Sequence, residues 1–224
     1  MKLFFWRKKS IEGLKTAMTR DEILRRSRIL IVDDESPDLI DDLKKAHFSV
    51  DYVKDITNEN LELIDRPLYD LMILDYGNVG SDFGSDQGLS LLKHAKRVNP
   101  SLVVLAYTSK SLPSSQADFY RMSDGILSKD AGIGESMEKI EEALKKAFDV
   151  KNLWLGFLHA AAVAPGSETD LMWQNLFIEG VSNQNKMKKF RMKAMGFFSG
   201  DNSKQIGIAI LEKLVEISLK TLIG

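Results

Sequence analysis

The chain contains no cysteine, which excludes a disulfide scaffold, a thiolate-held metal and a cysteine nucleophile. Its histidines, His47, His94 and His159, stand far apart, so no histidine-rich zinc site is expected. No apolar run approaches the ~20 residues that a membrane-crossing helix needs. Leu3-Phe4-Phe5-Trp6 is followed at once by Arg7-Lys8-Lys9, too short and in the wrong order for a secretory leader. A cytoplasmic protein is the expectation. What the chain does have is 224 residues with 44% hydrophobic and 28% charged side chains. That composition belongs to a folded protein, with length for one domain and a substantial appendage, or two small domains.

The net charge of −1 hides a division. Residues 1–26 hold eight Lys and Arg against three Asp and Glu, 27–148 hold 14 against 22, and 149–224 hold nine against seven. An acidic middle between basic ends predicts three segments: an N-terminal arm (1–26), a central domain (27–148) and a C-terminal module (149–224).

From Arg28 the chain alternates short β-branched runs with helical patterns. Ile29-Leu30-Ile31-Val32, Leu71-Met72-Ile73-Leu74 and Leu102-Val103-Val104-Leu105-Ala106 are nearly continuous apolar runs, as strands buried on both faces require. Val50-Tyr52-Val53 is a more polar strand and Gly125-Ile126-Leu127 a fifth. Between them lie helical patterns at Leu39-Ile40-Leu43, Leu61-Leu63-Ile64, Leu89-Leu91-Leu92-Ala95, Ala117-Phe119-Tyr120 and Met137-Ile140-Ala143-Leu144. This alternation predicts an α/β domain with a parallel sheet covered on both sides.

The polar residues fall at one place in that pattern. Asp33 and Asp34, Asp75, Thr108 and Lys129 each stand just past the C-terminal end of a strand, the edge where open α/β sheets bind ligands. Carboxylates gathered there repel one another unless a cation joins them. A hard, oxygen-loving ion such as Mg²⁺ suits them better than zinc. Nucleophilic carboxylate, metal, ammonium and hydroxyl are together what phosphoryl transfer to an aspartate needs.

In these residues the segment from about Arg28 to Phe148 resembles the receiver domain of two-component response regulators. Asp33-Asp34 matches the family's acidic pair, Asp75 its phospho-accepting aspartate, Thr108 its switch hydroxyl and Lys129 its invariant lysine. The resemblance implies a CheY-like (flavodoxin-like) doubly wound sheet of five parallel strands, order 2-1-3-4-5. It also implies Mg²⁺ held by Asp34, Asp75 and the backbone carbonyl of Gly77, with Asp33 helping through a metal-bound water. The phosphodonor would be a histidine kinase or a small molecule, and the domain would be a signalling module rather than an enzyme.

The chain also departs from the family. Asp130 replaces the proline that usually follows the lysine in a cis peptide, and Ile126 stands where an aromatic often moves on activation. The loop from Gly77 to Gly88 is longer than usual. Its glycines match neither G-x-G-x-x-G nor a P-loop, so a flexible lid is expected. Asp75-Tyr76-Gly77 lacks the Asp-x-Asp of aspartyl-phosphate hydrolases.

Residues 149–224 read as all helix. Val150, Leu153, Trp154, Phe157, Leu158 and Ala161 follow i, i+3, i+4 spacing and could continue the preceding helix. Ser167-Glu168-Thr169-Asp170 is an N-cap signature before a second helix ending near Gly180, followed by helices over about 183–198 and 204–223. Gly180-Val181-Ser182 resembles a helix-turn-helix turn before a basic helix, which makes a DNA-binding regulator the alternative function; a phosphate-blind pseudo-receiver is another. Trp154, Phe157, Trp173, Phe177, Phe197 and Phe198 are more aromatic surface than so short a unit can enclose alone. A homodimer through 149–224, or a protein partner on it, is therefore expected. In the arm, an Ile11-Leu14-Met18 helix docking on these helices is favoured over a membrane anchor at Phe4, Phe5 and Trp6.

Overall fold

The computed structural model describes residues 10–14, 18–109, 114–198 and 200–220; the Leu3-Phe4-Phe5-Trp6 cluster and Ile223 lie outside them. Strands β1 (Arg28–Val32), β2 (Ser49–Val53), β3 (Leu71–Asp75), β4 (Val103–Thr108) and β5 (Gly125–Ser128) form one parallel sheet of order 2-1-3-4-5. The fold is the CheY-like one. Alternation along each strand divides the core. Ile29, Ile31, Leu71, Ile73, Val103 and Leu105 face one side, while Leu30, Val32, Met72, Leu74, Val104 and Ala106 face the other. Helices α3 (Glu62–Asp65), α4 (Gly88–Val98) and α5 (Ala117–Met122) cover the second face through Ile64, Leu91, Leu92, Ala95 and Phe119. The first face carries α2 (Leu39–Lys45) and α6 (Ile133–Ala147).

α1 (Arg20–Arg26) precedes the sheet and is fixed by a capping box: Thr19 and Glu22 satisfy each other's backbone amides. Before it the arm makes a short 3-10 turn, Ile11–Gly13, and Leu14 and Met18 are not helical; the rest of the expected helix, residues 15–17, lies outside the described residues. Ile11 is buried, its amide donates to Gln174 Oε1 at 3.3 Å, and Leu14 and Met18 pack against the same core.

Four helices follow the sheet: α7 (Val150–Ala160), α8 (Glu168–Val181), α9 (Gln184–Met195) and α10 (Asp201–Lys220). The expectation that α7 continues α6 fails. The helix stops at Phe148, and Asp149 starts a new one, its side chain accepting from the Asn152 amide at 3.0 Å. α9 and α10 also begin or end a few residues from the expected bounds. Asp170, expected only as part of a cap, is a buried hub that accepts from Trp154 Nε1 (2.9 Å), the Gly166 amide (2.7 Å) and Gln174 Nε2 (3.0 Å).

The aromatic expectation also needs correction. Trp154, Phe157, Trp173, Phe177 and Phe190 are fully buried and Phe198 is half-buried, leaving Phe197 as the exposed ring. Enclosure succeeds because the unit is not alone. Its helices share one continuous apolar cluster with the first face of the sheet, so burial no longer supplies a reason for a homodimer. The polar contacts say where they dock: Asn152 Nδ2 donates to Ser101 O at 3.0 Å, His159 Nε2 meets Arg97 O at 2.8 Å, Lys213 pairs with Asp70, and Arg26 with Glu216. Asp70, Ser101 and Arg26 all lie just before strands, so these helices close the N-terminal edge of the sheet.

One close approach is at Gly156, where a Cβ would fall 2.6 Å from Ser101 Cβ and 3.2 Å from Ile210 Cδ1. Gly156→Val should therefore destabilise the whole protein by about 1–3 kcal/mol through overpacking. Denaturant unfolding followed by the buried tryptophans and by far-UV dichroism should stay coincident in both proteins. Separate transitions in the wild type would show that sheet and C-terminal helices do not share a core.

Candidate functional site

β1, β3, β4 and β5 deliver the site, and their register sets its spacing. Asp33 leaves β1 with its amide still bonded to Val53 O (3.3 Å), Asp75 closes β3, and the Lys129 amide donates to Thr108 O at 2.7 Å. Carboxylate oxygens of Asp33, Asp34 and Asp75 lie within 4.8 Å of one another. Between two of them stands the Lys129 ammonium, 3.1 Å from Asp75 Oδ2 and 2.7 Å from Asp33 Oδ2, and 5.2 Å from the Tyr107 ring centre. The sequence-predicted Asp33, Asp34, Asp75 and Lys129 are thus brought together.

Asp33 is 1% exposed. Its Oδ1 accepts from the Glu35 amide at 2.9 Å, whereas Oδ2, though close to Lys129, has no aligned hydrogen bond among the described residues. A buried, unsaturated carboxylate oxygen facing two further carboxylates is a donor set that fits a hard divalent cation. Gly77 belongs to the same place: a side chain there would begin 3.9 Å from Asp75 Oδ2. Burial pushes the Asp75 carboxyl above the usual carboxylate range, with Asp33 adding to the rise and Lys129 opposing it. Burial also pulls the Lys129 ammonium down, but Asp33 and Asp75 more than compensate and its pKa is raised. The ion pair is therefore formed at neutral pH, while Asp75 ionises at a cost.

Thr108 is buried and does not reach this group. Its hydroxyl shares a 3.3 Å hydrogen bond with Tyr120 Oη, which in turn donates to Gln116 Oε1. Sequence reasoning read Tyr120 only as part of a weak helix, and nothing in its spacing marks a partner on β4. Asn78 was missed too. It takes a left-handed conformation (φ 53°) and donates from Nδ2 to Asp34 Oδ2 at 2.8 Å. The Tyr52 hydroxyl donates to Asp33 O at 3.1 Å.

The glycine-rich loop is not a lid. Val79 is fully buried, the Gly80 amide donates to Asp55 Oδ1 at 2.5 Å, and Asp82 Oδ2 accepts from the Asn58 amide at 3.0 Å. Gly80 has φ 72°, and a Cβ at Gly88 would fall 2.4 Å from Asp75 O. Two of these glycines therefore serve a turn and a close approach beneath Asp75. Beside the cluster, a cleft of ≈ 460 Å³ opens between the β1–α2 loop and the start of α6, lined by Asp33, Pro37, Tyr107, Lys129 and Ser136 among others.

The raised Asp75 pKa fixes the sign of one effect. A carboxyl that holds its proton more tightly when folded destabilises the protein once ionised. That cost is full well above the folded value and disappears as pH falls below the unfolded one. Asp75→Asn should thus unfold at higher denaturant than wild type at pH 7, the gap closing towards pH 4. A less stable variant at neutral pH would mean that the Lys129 pair outweighs burial.

No protein-family model matches the chain, and no curated protein matches it. Solved structures do. The receiver domain of NtrX from Brucella abortus is 21% identical over 52% of this chain and 98% of that one, with a TM-score of 0.45. A two-component response regulator from Clostridium difficile is 22% identical over 54% and 97%, with a TM-score of 0.42. A CheY-like receiver domain protein from Methanospirillum hungatei is 22% identical over 54% and 95%, with a TM-score of 0.44. The solved structures to which about half of this chain is similar are response-regulator receiver domains.

Proposed function

We propose that this chain is a receiver that accepts a phosphoryl group on Asp75 and passes the change to the helices at the far edge of its sheet. The observation that carries the reading is the cluster itself: three carboxylates within 4.8 Å and an ammonium on two of them, at the C-terminal ends of parallel strands. In the transfer, an Asp75 carboxylate oxygen attacks phosphorus and forms the new P–O bond. The donor's P–N or P–O bond breaks: a kinase histidine leaves with its nitrogen taking up a proton, whereas a small acid leaves as its carboxylate anion. Asp34, Asp75 and the Gly77 carbonyl would hold Mg²⁺, with Asp33 assisting through water; when bound, the ion neutralises charge on the phosphoryl oxygens. Lys129 would pair with the same oxygens, and Thr108 would have to leave Tyr120 to donate to one of them. The family's usual aromatic is absent at Ile126, so the Thr108–Tyr120–Gln116 chain gives α5 a route to sense the phosphate in its place.

α6 offers the second route. Ile133 and Ser136 line the cleft beside Lys129, while Ala147 and Phe148, at the other end, pack with Leu153 and Trp154. Fifteen residues at ~1.5 Å each span about 22 Å. A shift at the site is thereby delivered to α7–α10, where a protein partner or a second copy would read it.

Incubation with Mg²⁺ and a small-molecule phosphodonor should add one hydroxylamine-labile phosphoryl group. Asp75→Asn should abolish labelling and Asp34→Ala should weaken it at least tenfold. Lys129→Ala should keep Mg²⁺ affinity, since a competing cation is gone, but lose the conformational response. Labelling of Asp75→Asn at the wild-type level would contradict the acceptor assignment. Wild-type protein that takes no phosphate from any donor would leave a pseudo-receiver.

A further inference from the structure

We propose that the exposed face of α9 and the residues just after it form a docking surface for an anionic phospholipid bilayer. The inference is independent of phosphorylation and begins with charge. α9 carries Lys186, Lys188, Lys189, Arg191 and Lys193 and no acidic residue. Lys186 pairs with Glu179 at 2.8 Å, but among the described residues no carboxylate pairs with Lys188, Lys189, Arg191 or Lys193.

Helical geometry sorts the side chains. Met187, Phe190 and Ala194 are buried against α8 and α10. At about 100° per residue, Met192 points directly away from that stripe, with Lys188 on one side and Lys189 on the other. Met192 is 69% exposed, and Met195 and Phe197 are each 47% exposed. The surface is thus cationic with apolar side chains standing out among the charges, the pattern of a helix lying in a lipid interface.

Next to it, a groove of ≈ 350 Å³ has Met187 and Val215 at its base, with Lys188, Arg191 and Gln184 around it. An apolar base among cations suits a headgroup phosphate with the start of an acyl chain. Nucleic acid fits less well, because Met192, Met195 and Phe197 would lie against phosphates and water with no base to stack on. The sequence adds an independent pointer. Residues 1–9 contain Leu3, Phe4, Phe5 and Trp6 among Lys2, Arg7, Lys8 and Lys9. They join the described chain beside Ile11, which bonds Gln174, the neighbour of Trp173, whose ring meets Phe197 at 4.8 Å. Among the described residues no helix is long and apolar enough to cross a membrane, so attachment would be peripheral.

Co-sedimentation of the full chain with vesicles tests this. Binding is expected to vesicles of phosphatidylcholine with phosphatidylglycerol, to fall steeply between low and physiological salt, and to be absent with phosphatidylcholine alone. Each cation near an anionic leaflet contributes roughly fivefold. Replacing Lys188, Lys189, Arg191 and Lys193 with Gln should therefore weaken binding more than a hundredfold, while the Lys188→Arg, Lys189→Arg variant retains it. All four side chains are exposed, so unchanged far-UV dichroism should accompany the loss. Met192→Asp should weaken binding at unchanged salt. No binding to anionic vesicles, equal binding to neutral ones, or wild-type binding by the Gln variant would overturn the proposal. So would binding that vanishes on removing residues 1–9 yet ignores the Gln substitutions. Salt-dependent binding to duplex DNA without vesicle binding would replace it with the nucleic-acid reading.

Discussion

Lys129 stands between Asp33 and Asp75 in a space neither carboxylate could share with the other, ionised and dry, without it. Like charges this close repel, and burial together with Asp33 pushes the Asp75 carboxyl above its usual range. The ammonium at 2.7 and 3.1 Å keeps both groups tolerable without fully satisfying either, since Asp33 Oδ2 has no aligned hydrogen bond among the described residues. A cluster held in that state is what the proposed uptake of a cation and then an anion would draw on. The rest of the architecture follows from the need to hold it. Parallel strands place their C-terminal ends in one row, and Gly88 lets a helix begin directly under the Asp75 carbonyl. Asp55 and Asn58 pin the long loop that would otherwise swing across the site.

The opposite edge of the sheet is treated differently. There the strands begin, and α7 and α10 close over them by sharing the apolar cluster of the first face. Contacts such as Asn152 to Ser101 and Lys213 to Asp70 are made to residues that immediately precede strands. The charge cluster lies at one edge and the helices attach at the other, so they do not cover the cluster. The strands between are fully buried and close-packed, so they transmit strain as rigid elements rather than absorb it.

The sheet was legible from the sequence because two independent patterns agreed. Apolar runs at Ile29–Val32, Leu71–Leu74 and Leu102–Ala106 gave the strands, and the polar residues ending them gave the edge where the charge cluster gathers. Local signals also reported faithfully where the physics is local, as at Ser167, whose hydroxyl caps α8. What could not be read depended on approach between distant segments. Nothing near Tyr120 announces Thr108, and nothing near Asn78 announces Asp34. The two residues that break α6 from α7 carry helical periodicity straight through the break. The docking of α7–α10 onto the sheet was hidden for the same reason, so their aromatic residues looked too many for the core available.

On the reading proposed above, the charge cluster binds a phosphoryl-like anion with a divalent cation and thereby moves Thr108 off Tyr120. Amide NMR of the full chain with Mg²⁺ and a beryllofluoride phosphate mimic tests it most directly. The account predicts saturable shifts at Asp34, Asp75, Thr108 and Lys129, with a change at the Tyr120 amide that disappears in Thr108→Val. Spectra that do not change on adding both would contradict it.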